Sequence, residues 1–196
     1  MSIFGTVYVK DNKYKLKGDF HHITPNMPIR NADEGWKLMG VTNPREMIYV
    51  HSYGGEAPFF ESLSQGKLMA TRCDNPKCDL KGTIYQPFRV HCIDCLERCS
   101  IIDMTDLAKK TAKIHTFMVC ARSGAFNVLD KPIKFINIEF DGVPTILMSY
   151  LSIGEPKIGM RVVPIFQKLS PTYTIVDLSW VPEGVPESDL PQGFSY

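Results

Sequence analysis

Short runs in which apolar and polar residues alternate dominate this chain, and clusters of Gly, Pro, Asn and Asp separate them. A period of two predicts strands. Thr6–Lys10 and Lys13–Lys17 flank Asp11-Asn12, the pattern of a short polar hairpin. Residues 21–57 have little periodicity, and turn formers from Pro25 to Gly55 fall at irregular intervals. The apolar residues there (Met27, Ile29, Trp36, Leu38, Met39, Met47, Ile48 and Tyr49) predict an extension that packs on another surface. The period changes at residues 58–70. Pro58 suits the first helical position, Phe59 and Leu63 share a face, and Gly66 ends the helix. Residues 67–72 then read as a strand.

Residues 82–91 and 100–105 supply further strand, and from residue 111 the pattern is β throughout. Runs at 111–122, 133–140, 143–151, 158–167 and 173–180 follow one another, with Asp141-Gly142 as the strongest hairpin signal. Five such strands, antiparallel by hairpin logic, predict a small closed or nearly closed barrel. Pro182, Gly184, Pro186, Pro191 and Gly193 make residues 181–196 an extended tail. The fold class is mostly β. The expected organisation is an extension over 1–57, a helix and a cysteine module over 58–105, the barrel over 106–180 and the tail over 181–196.

The cysteine module changes this picture from fold to chemistry. It reads Cys73-Asp-Asn-Pro-Lys-Cys78, thirteen residues, then Cys92-Ile-Asp-Cys95. Two cysteine pairs separated by a hairpin's length can close a tetrahedron of thiolates around one zinc ion. Such a site leaves no open position for water, so the expected role of Cys73, Cys78, Cys92 and Cys95 is a structural metal site. The first pair encloses four residues where a tight knuckle has two. Iron in a rubredoxin-like site is a variant of the same reading. Cys99 and Cys120 remain, and the expectation for both is a small buried hydrophobe. His91 adjoins Cys92 and is expected to point away from a metal.

Composition then narrows the classes. The chain has 196 residues, 44% of them apolar and 22% charged, with 22 Lys plus Arg against 21 Asp plus Glu. A net charge of +1 does not recommend a polyanion partner, so no nucleic acid is expected. The start of the chain lacks a signal-peptide pattern and no apolar run approaches the length of a membrane span, so the expectation is a cytoplasmic protein whose thiols stay reduced. No phosphate loop, nucleophile elbow or His-Glu-x-x-His helix occurs. His21, His22, His51 and His115 are scattered, and no catalytic set can be assembled; the expected catalytic residues are none.

The order of parts resembles a known family. Residues 59–73, Phe-Phe-Glu-Ser-Leu-Ser-Gln-Gly-Lys-Leu-Met-Ala-Thr-Arg-Cys, resemble the helix and first knuckle of the zinc-ribbon/OB-fold acyl-CoA-associated proteins, long catalogued as a domain of unknown function. Tyr85-Gln-Pro-Phe-Arg-Val-His-Cys92 is similar to that family's approach to the second knuckle, and Ala112-Lys-Ile-His-Thr-Phe-Met-Val119 to its first barrel strand. Residues 132–142 and 158–166 resemble its central hairpin and a later strand. The resemblance spans about residues 58–180 and leaves the first 57 without a counterpart. It implies a rubredoxin-like zinc ribbon followed by a five-stranded OB-fold barrel. It also implies a non-catalytic accessory subunit of an acyl-CoA-processing enzyme, foremost a thiolase or thiolase-like acyltransferase, including those of aromatic acyl-CoA degradation. The ribbon would dock on the partner subunit in a hetero-oligomer, and the barrel would lie near the entrance used by the CoA thioester. Two other classes compete: a single-stranded nucleic-acid module, which needs a basic groove with stacking aromatics, and a stand-alone enzyme using Cys99 or Cys120, which needs a reactive thiol.

Overall fold

The computed structural model describes residues 6–18, 26–42, 51, 53–123, 126 and 128–196. The chain forms two units, Met1–Ser52 and Tyr53–Tyr196.

The first unit contains two antiparallel hairpins. Strands β1 (Thr6–Lys10) and β2 (Lys13–Lys17) pair in register from Thr6 opposite Lys17 to Lys10 opposite Lys13. Asp11 and Asn12 both sit at φ 55°, the left-handed geometry of a two-residue turn that suits strand twist. The second hairpin lies in the segment whose sequence shows no period: β3 (Pro28–Asn31) pairs with β4 (Lys37–Val41). A register shift between Ile29 and Arg30 breaks the alternation that would have marked it. Met47, Ile48 and Tyr49 lie outside the described residues.

The second unit opens with helix α1 (Ala57–Leu63), with Pro58 in its first turn and Phe59 and Leu63 buried. Gly66 turns the chain out at φ 73°, and a Cβ there would meet the Lys168 side chain at 2.6 Å. Strand β5 (Met69–Arg72) lies between β6 (Ile84–Tyr85) and β7 (Ser100–Asp103), antiparallel to both, and this three-stranded sheet carries the cysteines. A second helix, α2 (Thr105–Thr111), follows where the sequence pattern shows none. Seven residues are too few to display an apolar period, although Asp106 in its first turn and Lys109 and Lys110 in its last match the helix dipole.

Five further strands build the barrel: β8 (Lys113–Cys120), β9 (Ile133–Phe140), β10 (Val143–Tyr150), β11 (Val162–Gln167) and β12 (Leu178–Pro182). They form a β10-β9-β8 sheet and a sheet centred on β11. Bridges between Lys113 and Arg161 and between Leu151 and Trp180 join the two sheets. The β9–β10 turn falls at Asp141-Gly142, with Gly142 at φ 76°. The strand expected over 173–180 begins only at Leu178. The Asp177 carboxylate accepts bonds from the Thr172 and Tyr173 backbone N–H groups and the Thr172 hydroxyl, and it winds the β-branched run before it into a turn. The end of the chain folds back: β13 (Phe194–Ser195) pairs with β11. One core joins α1, β5, α2 and the barrel, with Leu63, Leu68, Ala108, Ile138, Phe166 and Trp180 fully buried. No helix among the described residues is long and apolar enough to cross a membrane.

Candidate metal centre

Strand pairing alone brings the two knuckles together. Cys73 follows β5 directly, and Cys73 N–H bonds to Thr83 O while Gly82 N–H returns to Cys73 O. The four-residue first knuckle closes through a local turn. Asn75 Oδ1 accepts the Lys77 N–H at 2.9 Å, Pro76 fixes the bend, and Cys78 N–H reaches Asn75 O. The second knuckle is a tight hairpin in which His91 bridges Arg98 and Cys92 N–H bonds to Glu97 O.

All four sulfurs, of Cys73, Cys78, Cys92 and Cys95, lie within 4.8 Å of one another. Two separations are 3.8 Å: Cys73 to Cys95, and Cys78 to Cys92. A tetrahedral ion with metal–sulfur bonds of about 2.3 Å sets its sulfurs about 3.8 Å apart, whereas a disulfide requires about 2.05 Å. The spacing therefore fits a four-thiolate metal site, and all six cysteines are free of disulfides. Cys73, Cys78 and Cys92 are buried and Cys95 is half-buried.

The sulfurs differ in their surroundings. The Tyr85 hydroxyl lies 3.3 Å from Cys92 Sγ, and its hydrogen bond is the main reason that this thiol falls to about 6 from its ordinary 9.0. Burial, with the Asp94 carboxylate 3.1 Å away, pushes the Cys78 thiol up. The Leu80 N–H points at the same sulfur from 3.3 Å. Burial also raises Cys73. Cys99 joins this cluster as a buried fifth thiol, and burial followed by the charge of its cysteine neighbours lifts it to about 11. A buried thiol held in its neutral form is a poor nucleophile.

Among the described residues, the remaining candidates of the sequence do not gather into a second cluster of possible metal ligands. His91 Nδ1 bonds to Leu96 O, and His115 Nδ1 meets Glu139 at 2.8 Å on the surface of the barrel. Cys120 is half-buried, with its sulfur directed at Arg122 O. His21 and His22 lie outside the described residues. Several basic residues of the barrel are engaged within the chain. Lys113 pairs with Asp141, Lys134 with Glu155 and Gly154 O, Arg161 with Ala112 O, Lys109 O and Glu183, and Lys168 with Tyr196 O. Tyr85 is the site residue that the sequence reading missed. It sits seven positions before the cysteine it touches, and only the fold of the ribbon brings them together.

No protein-family model matches this chain, and no curated protein matches its sequence. Among solved structures, the chain is similar to a protein of unknown function from the DUF35 family of Sulfolobus solfataricus. The two share 22% identity, with a TM-score of 0.47 over 68% of this chain and 90% of the other. It is also similar to the Ltp2-ChsH2(DUF35) aldolase, with 20% identity and a TM-score of 0.49 over 65% of this chain and 93% of the other. Both structural neighbours carry the DUF35 designation.

Proposed function

We propose that this chain is a non-catalytic accessory subunit of an acyl-CoA-processing enzyme, with a thiolase or thiolase-like acyltransferase as its partner. In this reading Cys73, Cys78, Cys92 and Cys95 hold one zinc ion that fixes the ribbon. The partner supplies the nucleophile and the base. This chain supplies stability to the complex and part of the approach used by the CoA thioester.

The observation that carries the reading is the closed character of the cysteine site. Four sulfurs at tetrahedral spacing complete the shell of a zinc ion, so neither water nor substrate can bind to it, and its work is structural. Two features support a partner. Trp36, Leu38, Met39 and Val41 in the second hairpin are all exposed, and large apolar side chains grouped in this way mark interaction surfaces. A lone two-stranded hairpin is also marginal in water, so we assign residues 1–57 to contact with another surface. The order of helix, ribbon and barrel agrees with the family resemblance in residues 58–180.

The test is co-expression of the full chain with the acyl-CoA enzyme subunit encoded nearest to it. The expected result is a single complex on size exclusion, about one zinc per copy of this chain, and a partner that loses activity or lifetime when this chain is omitted. A soluble monomer that ignores every such partner would overturn the proposal.

A further inference from the structure

Tyr85 is buried in the middle of the cysteine cluster, with 2% of its surface exposed. A phenol at that depth needs a hydrogen-bond partner, since an unsatisfied buried hydroxyl is costly. Its partner is Cys92 Sγ at 3.3 Å, and Cys92 is itself 1% exposed. A cysteine that ligates a metal is deprotonated and can only accept, so the phenol is the donor between the two. A phenylalanine would fill the same space, so what the hydroxyl adds is direction and charge.

The backbone at Tyr85 is held from the other side. Tyr85 pairs with Thr71 of β5. The next residue, Gln86, is fully buried, donates its N–H to the Thr145 hydroxyl of β10 at 3.0 Å, and donates its side-chain amide to Met69 O. A short chain of bonds thus runs from barrel strand β10 through Gln86 and Tyr85 to one sulfur of the four.

We propose that Tyr85 is a positioning residue for the metal: its hydroxyl, donated to Cys92 Sγ, orients that ligand, withdraws charge from it and ties the metal site to the barrel. This rests on the reading that the four cysteines hold a metal ion. A donor on a coordinating thiolate lowers its electron density, which makes it a poorer nucleophile while its geometry is fixed. Partners of this kind in other metal sites change affinity by about 10- to 100-fold when removed. The other cysteine that meets a side chain outside the cluster is differently placed: Cys78 faces the Asp94 carboxylate, which cannot donate once ionised. Cys78 receives the Leu80 backbone N–H, whereas Cys92 is held by a side-chain hydroxyl.

The test compares the full chain with Tyr85→Phe and with Tyr150→Phe. Tyr150 is a buried tyrosine of the barrel whose hydroxyl donates to Val176 O at 2.8 Å, away from the cysteines. Each protein is loaded with zinc for chelator competition and with cobalt(II) for the sulfur-to-metal charge-transfer band. Tyr85→Phe is expected to hold zinc about 10- to 100-fold more weakly. Its cobalt band should move to lower energy, and its loaded thiols should react faster with a disulfide reagent. Tyr150→Phe should lower the melting temperature and leave all three unchanged. A Tyr85→Phe protein whose cobalt spectrum and zinc competition superimpose on the parent overturns the role of Tyr85 alone. So does a Tyr150→Phe protein that changes them as much. A parent chain that takes up neither zinc nor cobalt in a thiolate site overturns the metal reading and this proposal with it.

Discussion

The ribbon and the barrel adjoin one another in the second unit, yet they bury different chemistry. The interior of the ribbon is Cys73, Cys78, Tyr85, Cys92 and Cys99, with Leu80 and Cys95 at its margin. The barrel buries Ile114, Ile136, Ile138, Leu147, Phe166, Leu178 and Trp180 with the helices. Apolar area stabilises the barrel at about 25 cal/mol for each Å² removed from water. Ala70 and Phe88 of the ribbon join the core of the barrel, but the cluster around the sulfurs has little aliphatic area to remove, and its sulfurs would gain most by sharing an ion. One continuous unit thus holds two sources of stability, and they should fail separately.

Metal removal is the strongest way to test that separation. Structural zinc contributes about 10–16 kcal/mol in small zinc-finger peptides, far more than any one side chain here. Chelation is therefore expected to strip hydrogen-exchange protection from residues 73–99 while Ile133–Phe140 and Val143–Tyr150 keep theirs. Exchange read by mass spectrometry before and after the chelator distinguishes the cases. Simultaneous loss in both regions would show that the barrel depends on the metal as well.

The reciprocal experiment empties the barrel. Ile138 is fully buried on the central strand, opposite Ile114 on one side and Leu147 on the other. Ile138→Ala leaves a cavity and is expected to cost about 2–5 kcal/mol, read as a lower denaturant midpoint. Zinc affinity should stay within a factor of a few, because the cysteines touch none of the groups removed. A large loss of zinc affinity would mean that the two regions are one cooperative system.

Much of this division was legible in the chain itself. The cysteine spacing picks out the four sulfurs that the fold clusters, and Asn75-Pro76 is a turn signal that explains how a four-residue knuckle still closes. The alternation over Ile133–Phe140 and the Asp141-Gly142 turn place the first strand and the turn of the barrel's central hairpin to the residue. What escaped has physical causes. The β3–β4 hairpin hides behind a register shift, α2 is too short to show a period, and residues 173–177 have strand-like composition but are captured by the Asp177 carboxylate. The contact of Tyr85 with Cys92 is made by strand pairing, so no local pattern encodes it.

The joint between the regions is polar, and a smaller effect is expected there. Thr105, at the start of α2, accepts the Leu68 N–H with its hydroxyl at 2.9 Å and donates to Asp103. Leu68 is fully buried. Thr105→Val keeps the shape of the side chain but orphans that N–H, at a cost of about 1–3 kcal/mol. The stability of the unit should fall by this amount with zinc bound. If it falls only in the metal-free protein, the joint belongs to the ribbon and not to both regions.

The smallest expected effect is a pH dependence at the same joint. Burial pushes the Asp103 carboxyl up, but hydrogen bonds from the Thr105 hydroxyl and backbone N–H, with the charges of Lys67 and Lys109, outweigh it, and the net value lies below the ordinary 3.8. The folded state therefore binds fewer protons at Asp103 than the unfolded state. Its contribution is complete above the ordinary carboxylate range and is lost as pH falls through the lowered folded value. The carboxylate is 44% exposed, so solvent screening holds the effect under about 1 kcal/mol. Denaturation of the parent and of Asp103→Asn, followed from neutral pH into acid, should show a gap that narrows only at the acid end. A gap that stays constant with pH would mean that Asp103 acts through its shape and its hydrogen bonds, and the joint would then hold the two regions together without any help from charge.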